Sequence, residues 1–497
     1  MRGECILSNS EKEVKIKKQK SPFEIRMQFF GLPIALILFA IIFTMPTPNG
    51  LSYSGKMAMG VFLFALTLWI TNSIPNYVTA LLTIVLLPLT GAWNETQVMG
   101  VLGYEVIWLT FAAFIIASGM EKSGLAKRLA LFLITKFGKS TNNILALLMA
   151  TNFLIAFVVP STTARAAMMF PIVMLVIEAF HVNLDDPKNN FGRLLALQGI
   201  QSNNLSTAAI LTATSSQILA VSFIRDLSGH EISWGEWFMA SAPITILTLI
   251  ASFFIGKSLF KVHNKKVTVE DMKKLNDQYK SLGKMSITEK KALIIFAFTV
   301  IMWALDKGQL KILGFRLSLV MVAILSAALF FMPYIGILKW KEAKISWNLL
   351  IFACGAYAGG VALNDTGVAS WVLNSIFTSL GIENLSFYAL FATIMFISSF
   401  SHLVFTSKTV RTIILIPTII AIAKTSGYNP IALALPAALT IADTITLPPS
   451  SKVNLIYYNT GYFTVLQELI YGLLVLLVKW AILMGASFTW FKVLGIV

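Results

Sequence analysis

Apolar runs long enough to cross a bilayer follow one another from residue 27 to residue 490, and polar residues break four of them at matching places in the two halves. A spanning helix needs about 20 apolar residues. Inside hydrocarbon, a free backbone group costs several kcal/mol unless protein or a wet cavity surrounds it. Four matched breaks therefore call for one central cavity. In the first half the runs read as spans at 27–45, 57–74, 77–91 and 98–119, then an amphipathic stretch at 120–141. A segment broken at Pro160 covers 142–181, and spans follow at 194–223 and 236–256. The second half reads 290–306, 316–337 and 347–364, with an amphipathic stretch at 365–384. A segment broken near Ser407 covers 385–425, and spans follow at 430–460 and 466–490. The pattern predicts an all-α polytopic membrane protein of about eleven transmembrane helices plus two re-entrant hairpins.

Composition agrees with a bilayer as solvent. Hydrophobic residues make up 57% of the chain and charged residues 12%, where soluble domains carry about 25% charged residues. A soluble enzyme is excluded. The net charge of +16 would suit a nucleic-acid binder, but its distribution argues otherwise. Residues 1–26 carry seven Lys/Arg against four Glu, and residues 257–291 carry ten Lys against four acids. Cationic loops between apolar runs mark the cytoplasmic side. Residues 1–26 are thus expected to be a cytoplasmic segment, 257–289 a cytoplasmic linker, and the C-terminus to lie outside an inner or plasma membrane. Twenty-six polar residues before a long first span do not fit a signal peptide. Cys5 and Cys354 form no metal-type pair or redox motif. No phosphate-binding loop or hydrolytic motif appears, so neither ATP drive, an enzyme, a cofactor nor a metal centre is expected.

The internal repeat carries more information than any single motif. The first hairpin breaks at Ser161-Thr162-Thr163-Ala164-Arg165 and the second at Ser407-Lys408-Thr409-Val410-Arg411. Each is followed by an interrupted span, Thr214-Ser215-Ser216-Gln217 and Ser451-Lys452-Val453-Asn454. Upstream, Trp108 with Ser123-Gly124-Leu125-Ala126 is echoed by Trp347 with Thr366-Gly367-Val368-Ala369. One copy begins outside and the other inside. The chain thus divides into inverted repeats over 27–256 and 290–497, with hairpin 142–181 opening inward and hairpin 385–425 opening outward. Polar breaks at matching places in inverted repeats point to a transporter binding site.

Helices that restart after such breaks aim free N–H groups and a positive dipole end at one centre. With Ser and Thr hydroxyls added, that arrangement suits an anion, most naturally a carboxylate. Thr162 and Thr163 are expected to touch the ligand, while Ser161 and Ser407 shape the tips. Lys408 is the sharpest candidate, a cation at a hairpin tip deep in the membrane, where a charge implies function and an anionic partner. Asp443 is the nearest candidate for that partner in a structural pair. Lys452 sits in the other break of the same half. Arg165 and Arg411, one helical turn past each tip serine, are expected to lend electrostatic support or to brace the tips. His402 is expected to be a packing residue.

These residues resemble the divalent anion/sodium symporter family of di- and tricarboxylate and sulfate carriers. The resemblance covers most of 27–490 and includes both tips, the glycines Gly124 and Gly367, and Gly461-Tyr462. It implies a homodimer whose transport domain moves elevator-fashion against a scaffold domain. It also implies substrate contacts at Thr162, Thr163 and Thr214 in the first half and at Lys408, Thr409, Ser451 and Lys452 in the second. In the symporters, sodium is held partly by carbonyls near positions matching Ala213 and Ser450. The family's tip Asn is replaced here by Thr162 and Lys408, and its Thr-Pro-Pro-Asn by the two sequences quoted above. An ammonium at position 408 disfavours sodium there, because two cations about 4 Å apart repel by roughly 4 kcal/mol at an effective dielectric of about 20. Pro160-Ser161-x-Thr163-Ala164-Arg165 is similar to the exchanger branch, the bacterial citrate/succinate antiporters and plastid oxoglutarate/malate translocators. The expected function is exchange of di- or tricarboxylates with Lys408 standing in for sodium. Sodium-coupled symport and an anion channel are the alternatives. The residues do not choose among succinate, malate, fumarate, 2-oxoglutarate, tartrate, citrate and sulfate.

Overall fold

A computed structural model describes residues 22–180, 190–368, 371, 385–403 and 407–497. Most of the expected N-terminal segment, most of the amphipathic stretch at 365–384, and residues 404–406 beside the second tip lie outside the described residues. Leaving aside helical pieces of six residues or fewer, the chain forms α1 (Pro22–Thr44), α2 (Tyr53–Thr71), α3 (Asn76–Leu89), α4 (Glu105–Ser123), α5 (Leu125–Phe137), α6 (Thr141–Val158), α7 (Thr162–Ala179), α8 (Asn190–Ala209), α9 (Ser215–Ser228) and α10 (Trp234–Leu259). It continues with α11 (Val269–Ser281), α12 (Ile287–Ala304), α13 (Leu319–Leu329), α14 (Trp347–Asp365), α15 (Phe387–Phe400), α16 (Lys408–Thr425), α17 (Pro430–Ala438), α18 (Lys452–Tyr458) and α19 (Val465–Phe488). Among the described residues the fold is all-α, with one isolated antiparallel bridge between Ser140 and Lys266. Seven helical stretches there are long and apolar enough to cross a membrane, and shorter apolar helices such as α3, α6, α13 and α15 accompany them.

The helix ends follow from short-range chemistry. Ser140, Ser161, Ser407 and Ser451 each accept a hydrogen bond from a backbone N–H of the first turn they cap. Capping boxes start α10, from Ser233 and Glu236, and α19, from Thr464 and Gln467. The expected span at 98–119 starts later, at Glu105. Asn94 and Gln97 cap a separate short helix, and extended Tyr104 divides it from α4. The expected single arm over 120–141 is also divided. Gly124 adopts a left-handed conformation (φ 75°) that ends α4 at Ser123 and restarts the chain as α5. The span expected at 316–337 is shorter, because turns take over beyond Leu329.

Two sets of helices pack among themselves. α1 lies on α2, α2 on α3, and α3 on α14. Buried Lys56 ties the first pair by donating to the carbonyl of Met45 at 2.9 Å, just beyond the last turn of α1. The second set holds the hairpins α6–α7 and α15–α16, with α8, α9, α10, α17, α18 and α19 around them. Here α10 packs on both α8 and α19, and α9 packs on α16.

Two close backbone approaches govern this packing. A Cβ on Gly472 of α19 would lie 2.2 Å from the carbonyl oxygen of Ile445, and one on Gly355 of α14 would lie 2.5 Å from the Ala80 backbone. Neither neighbour can swing aside. Gly472→Ala and Gly355→Ala are each expected to destabilise the protein by about 1–3 kcal/mol. Gly485→Ala, which meets nothing within 4 Å, is expected to be neutral or stabilising by about 0.5–1 kcal/mol through helix propensity. Thermal unfolding of the purified protein in detergent measures all three.

Candidate functional site

Four helix N-termini are set by four interruptions. α6 ends at Val158, and Pro160, which favours extended backbone in the residue before it, turns the chain into Ser161 and α7. Ser161 accepts from the N–H of Ala164 at 3.3 Å, and Ser407 accepts from that of Val410 at the same distance. After α8 the chain runs through extended Ile210, one tight turn and extended Thr214 (φ −158°) before α9. After α17 it runs through irregular backbone, a tight turn over Pro448–Ser450 and extended Ser451 (φ −155°) before α18. Thr214 and Ser451 thus occupy matching places.

All four restart points border one cavity of about 300 Å³. Thr162, Thr163 and Thr214 line it from the first half. Lys408, Thr409, Ser451 and Lys452 line it from the second. Ser161 borders it, whereas Ser407 is not among the lining residues. Thr110 and Phe114 of α4 and Leu349 of α14 close it from outside the second set. The volume is at the small end of the range for small-molecule sites. Hydroxyls, first-turn N–H groups and two ammonium-bearing side chains make it chemically suited to an anion with more than one acidic group.

Lys408 finds a different partner from the expected carboxylate. Its Nζ donates to Asn204 Oδ1 at 3.0 Å, and Thr444 Oγ1 donates to the same oxygen at 3.1 Å. No described carboxylate forms an ion pair with it. Asp443 is taken by Lys479 of α19, 2.6 Å away, which also donates to the Leu439 carbonyl at 3.0 Å. Both members of that pair are buried. Lys408 therefore presents its amino group to the cavity with no described carboxylate paired to it.

Arg165 and Arg411 do not line the cavity; both are fully buried behind it. Arg165 Nη1 donates to the carbonyls of Val159 (2.7 Å) and Ala213 (3.1 Å). Its Nη2 faces the Asn203 carbonyl and Thr207 Oγ1. Arg411 donates to Ser401 Oγ (2.8 Å) and to the carbonyls of Ile441 (2.9 Å), Ser398 (2.9 Å) and Thr440 (3.4 Å). Each guanidinium thus ties a hairpin to the broken span beside it. His402 is held between the Ser399 carbonyl and Thr446 Oγ1, in keeping with a packing residue.

Sequence reasoning passed over Asn204 and Lys479, and named Gln217 and Asn454 only as positions of the two broken-span motifs. The signal for Asn204 was present in Gln201-Ser202-Asn203-Asn204, four polar residues inside an otherwise apolar span. Lys479 stands alone among apolar residues of its span. Gln217 and Asn454 repeat one contact, each donating at 2.9 Å to the carbonyl ten residues earlier, Thr207 and Thr444.

Replacing Arg165 or Arg411 by Met leaves buried acceptors unpaired, each worth about 1–3 kcal/mol. Both variants are expected to lose several kcal/mol of stability, whereas exposed Lys452→Ala stays within about 0.5 kcal/mol of the unaltered protein. Asp443→Asn alone strands a buried ammonium and costs about 3–5 kcal/mol, and adding Lys479→Met recovers most of that loss. Thermal unfolding midpoints in detergent test each of these outcomes.

Comparison with known proteins adds three findings. The family model described as the sodium:sulfate symporter transmembrane region matches residues 26–497. Among curated proteins, the chain is 26% identical to a membrane protein of Cupriavidus necator, covering 94% of this chain and 93% of that one. It is 28% identical to the sodium-dependent dicarboxylate transporter SdcS of Staphylococcus aureus, covering 90% and 88% respectively. Among solved structures, the YdaH transporter of Alcanivorax borkumensis shares the fold with a TM-score of 0.53 at 14% identity, covering 94% of this chain and 98% of its own. MtrF of Neisseria gonorrhoeae does so with a TM-score of 0.56 at 12% identity, covering 95% and 96%.

Proposed function

Because the chain belongs to the sodium:sulfate symporter family of membrane transporters, we propose that it is a secondary carrier exchanging one di- or tricarboxylate for another across the plasma membrane. The observation that carries this reading is Lys408, a tip cation bordering the cavity with the Asn204 amide oxygen as its partner and no described carboxylate paired with it. A dianion supplies the missing negative charge and also meets the hydroxyls of Thr162, Thr163, Thr214, Thr409 and Ser451. A carrier with a built-in cation resists crossing empty, because an unpaired charge in hydrocarbon is costly. Bound anion neutralises it and permits the crossing in either direction, so one anion moves in for each that moves out. Arg165 strengthens the argument on the first side. Its guanidinium sits on the Ala213 carbonyl, the group that the family resemblance assigns to sodium, and so brings a positive charge to that place.

The moving part in this reading comprises both hairpins and the two broken spans. They are cross-tied by Lys408 to Asn204, by Asn204 to Asn454 and by Thr412 to the Ser216 carbonyl. The helices carrying Thr110, Phe114 and Leu349 would form the stationary wall, with two copies of the chain associating through that scaffold. Residues 1–26 and the linker at 257–289 are assigned to the cytoplasm by their charge. A second reading, sodium-coupled dicarboxylate symport, is favoured by the SdcS relative, whose name states sodium dependence.

Uptake of labelled succinate into proteoliposomes separates the two. Exchange requires an internal dicarboxylate and is indifferent to sodium; sodium-driven uptake into empty vesicles would replace it with symport. Unlabelled sulfate, malate and citrate as competitors sort the substrate. Lys408→Ala is expected to weaken substrate binding roughly tenfold to a hundredfold, the worth of a charge-assisted hydrogen bond. Lys408→Asn is expected to acquire sodium dependence. Normal exchange by Lys408→Ala would remove Lys408 from the mechanism.

A further inference from the structure

Glu468 has no part in the exchange cycle described above, yet it is joined to the cavity. It is the fourth residue of α19 and is 0% exposed. Its Oε1 accepts from Asn454 Nδ2 at 2.8 Å, and its Oε2 has no hydrogen-bond partner. No described Lys, Arg or His forms an ion pair with it. The matching residue after the capping box of α10 is Trp237, which donates to the Ala208 carbonyl at 3.0 Å. The carboxyl is therefore a feature of the second half alone, as is the tip lysine.

Of the chargeable groups on the surrounding elements, most have other engagements. On α19 itself, Lys479 is paired with Asp443 of the adjoining break, and Tyr471 donates to the Ser252 carbonyl. On α10, Lys257 lies over the Phe253 ring, and on α8, Arg193 donates to Asn190. On α18, Lys452 borders the cavity, and the Tyr457 hydroxyl has no partner. Arg411 of α16 is spent on the carbonyls named above.

An ionised carboxylate with a single donor is costly to bury, and a neutral one is not. A proton on Oε2 breaks no hydrogen bond, since that oxygen makes none, and Oε1 continues to accept from Asn454. Glu468 can change its protonation state with its contacts intact, and the charge nearby decides which state holds.

That charge is in the cavity. Asn454 Oδ1 accepts from Ser451 Oγ at 2.6 Å and from Asn204 Nδ2 at 3.3 Å. Asn204 Oδ1 in turn accepts from Lys408. The Asn454 amide nitrogen has two hydrogens for three acceptors within 3.0 Å, the carbonyls of Thr444 and Leu447 and the carboxyl of Glu468. A carboxylate competes for them better than a carbonyl does, and a neutral carboxyl releases them. Thr444 and Leu447 belong to the break that carries Ser451 to the cavity. Gln467 and Ile470, close to Glu468 in the chain, line a separate cleft of about 230 Å³ with Arg193 and Lys261.

We infer that Glu468 is a proton-binding site linked to anion occupancy of the cavity through Asn454, Asn204 and Lys408, an inference that rests on the carboxylate-carrier reading. An arriving dianion favours the protonated form, so binding takes up a proton from solvent onto Oε2. By reciprocity, protonation tightens anion binding.

Calorimetry of fumarate binding to the purified full chain, in buffers of different ionisation enthalpy, counts the protons. Fumarate is chosen because both its carboxyls stay ionised between about pH 6 and about pH 8. The unaltered protein is expected to take up a fraction of a proton per fumarate bound and to lose affinity several-fold across that range. Glu468→Gln is expected to bind with no uptake and a flat profile, and Glu468→Asp to restore uptake with its peak at a different pH. Equal uptake by Glu468→Gln would move the proton to another group and overturn the assignment. Absence of uptake in the unaltered protein would do the same even if the Gln variant failed to fold. Absence of binding by every dicarboxylate tested would remove the carboxylate reading itself, and the linkage with it.

Discussion

The backbone that is not helical inside the membrane is the constraint on which the rest of this structure depends. Each interrupted span frees carbonyl and N–H groups that hydrocarbon will not solvate. Arg165 and Arg411 answer the carbonyls, and they do so in parallel. The Asn203 carbonyl in one half and the Thr440 carbonyl in the other face a guanidinium Nη2 at 3.5 and 3.4 Å. The free N–H groups are answered differently. Caps at Ser161, Ser407 and Ser451 satisfy some of them, and first-turn residues of all four restarted helices line the cavity. The site is thus what remains of a backbone problem after two arginines have solved half of it.

The two halves share a plan but not a charge. Thr162 corresponds to Lys408, Ser215 to Lys452 and Trp237 to Glu468. The first half keeps neutral donors where the second has ionisable groups. The buried Asp443–Lys479 pair also belongs to the second half. An anion in the cavity therefore meets hydroxyls from one side and ammonium groups from the other. Such a site discriminates by charge more strongly than by shape, since a compact ammonium supplies a point charge where a guanidinium would impose a planar geometry.

Much of this was legible in the residues alone. Hydropathy located the broken segments, and helices restart directly after Ser161 and Ser407. The seven residues assigned to substrate line one cavity, because the repeat ties each tip to a break. Partners were harder to read. From sequence Asp443 reads as the partner of Lys408, but contacts between remote spans have no local signal, and Lys479, 36 residues further on, claims the carboxylate. Asn204 is 204 residues from Lys408, and only the fold brings them together. Helix boundaries at 95–105 and 120–125 depended on a capping box, an extended tyrosine and one left-handed glycine, all below the resolution of a hydropathy average.

The pairing of Asp443 with Lys479 also decides what Lys408 can do. Had Asp443 faced the tip, the ammonium would have been neutralised within the protein, and the carrier could cross empty without stranding a charge. With Asp443 held by α19, the tip charge is left for a ligand. In the proposed exchange, a substrate carboxylate would complete a set of interactions that the protein leaves open, and movement without it would leave the cation exposed to hydrocarbon. The same reasoning gives Asn204 its importance. An amide oxygen orients Lys408 and satisfies one of its three hydrogens, but it cannot cancel the charge. The lysine is held in position with its charge uncancelled by that contact, which is the condition that the proposed exchange would need.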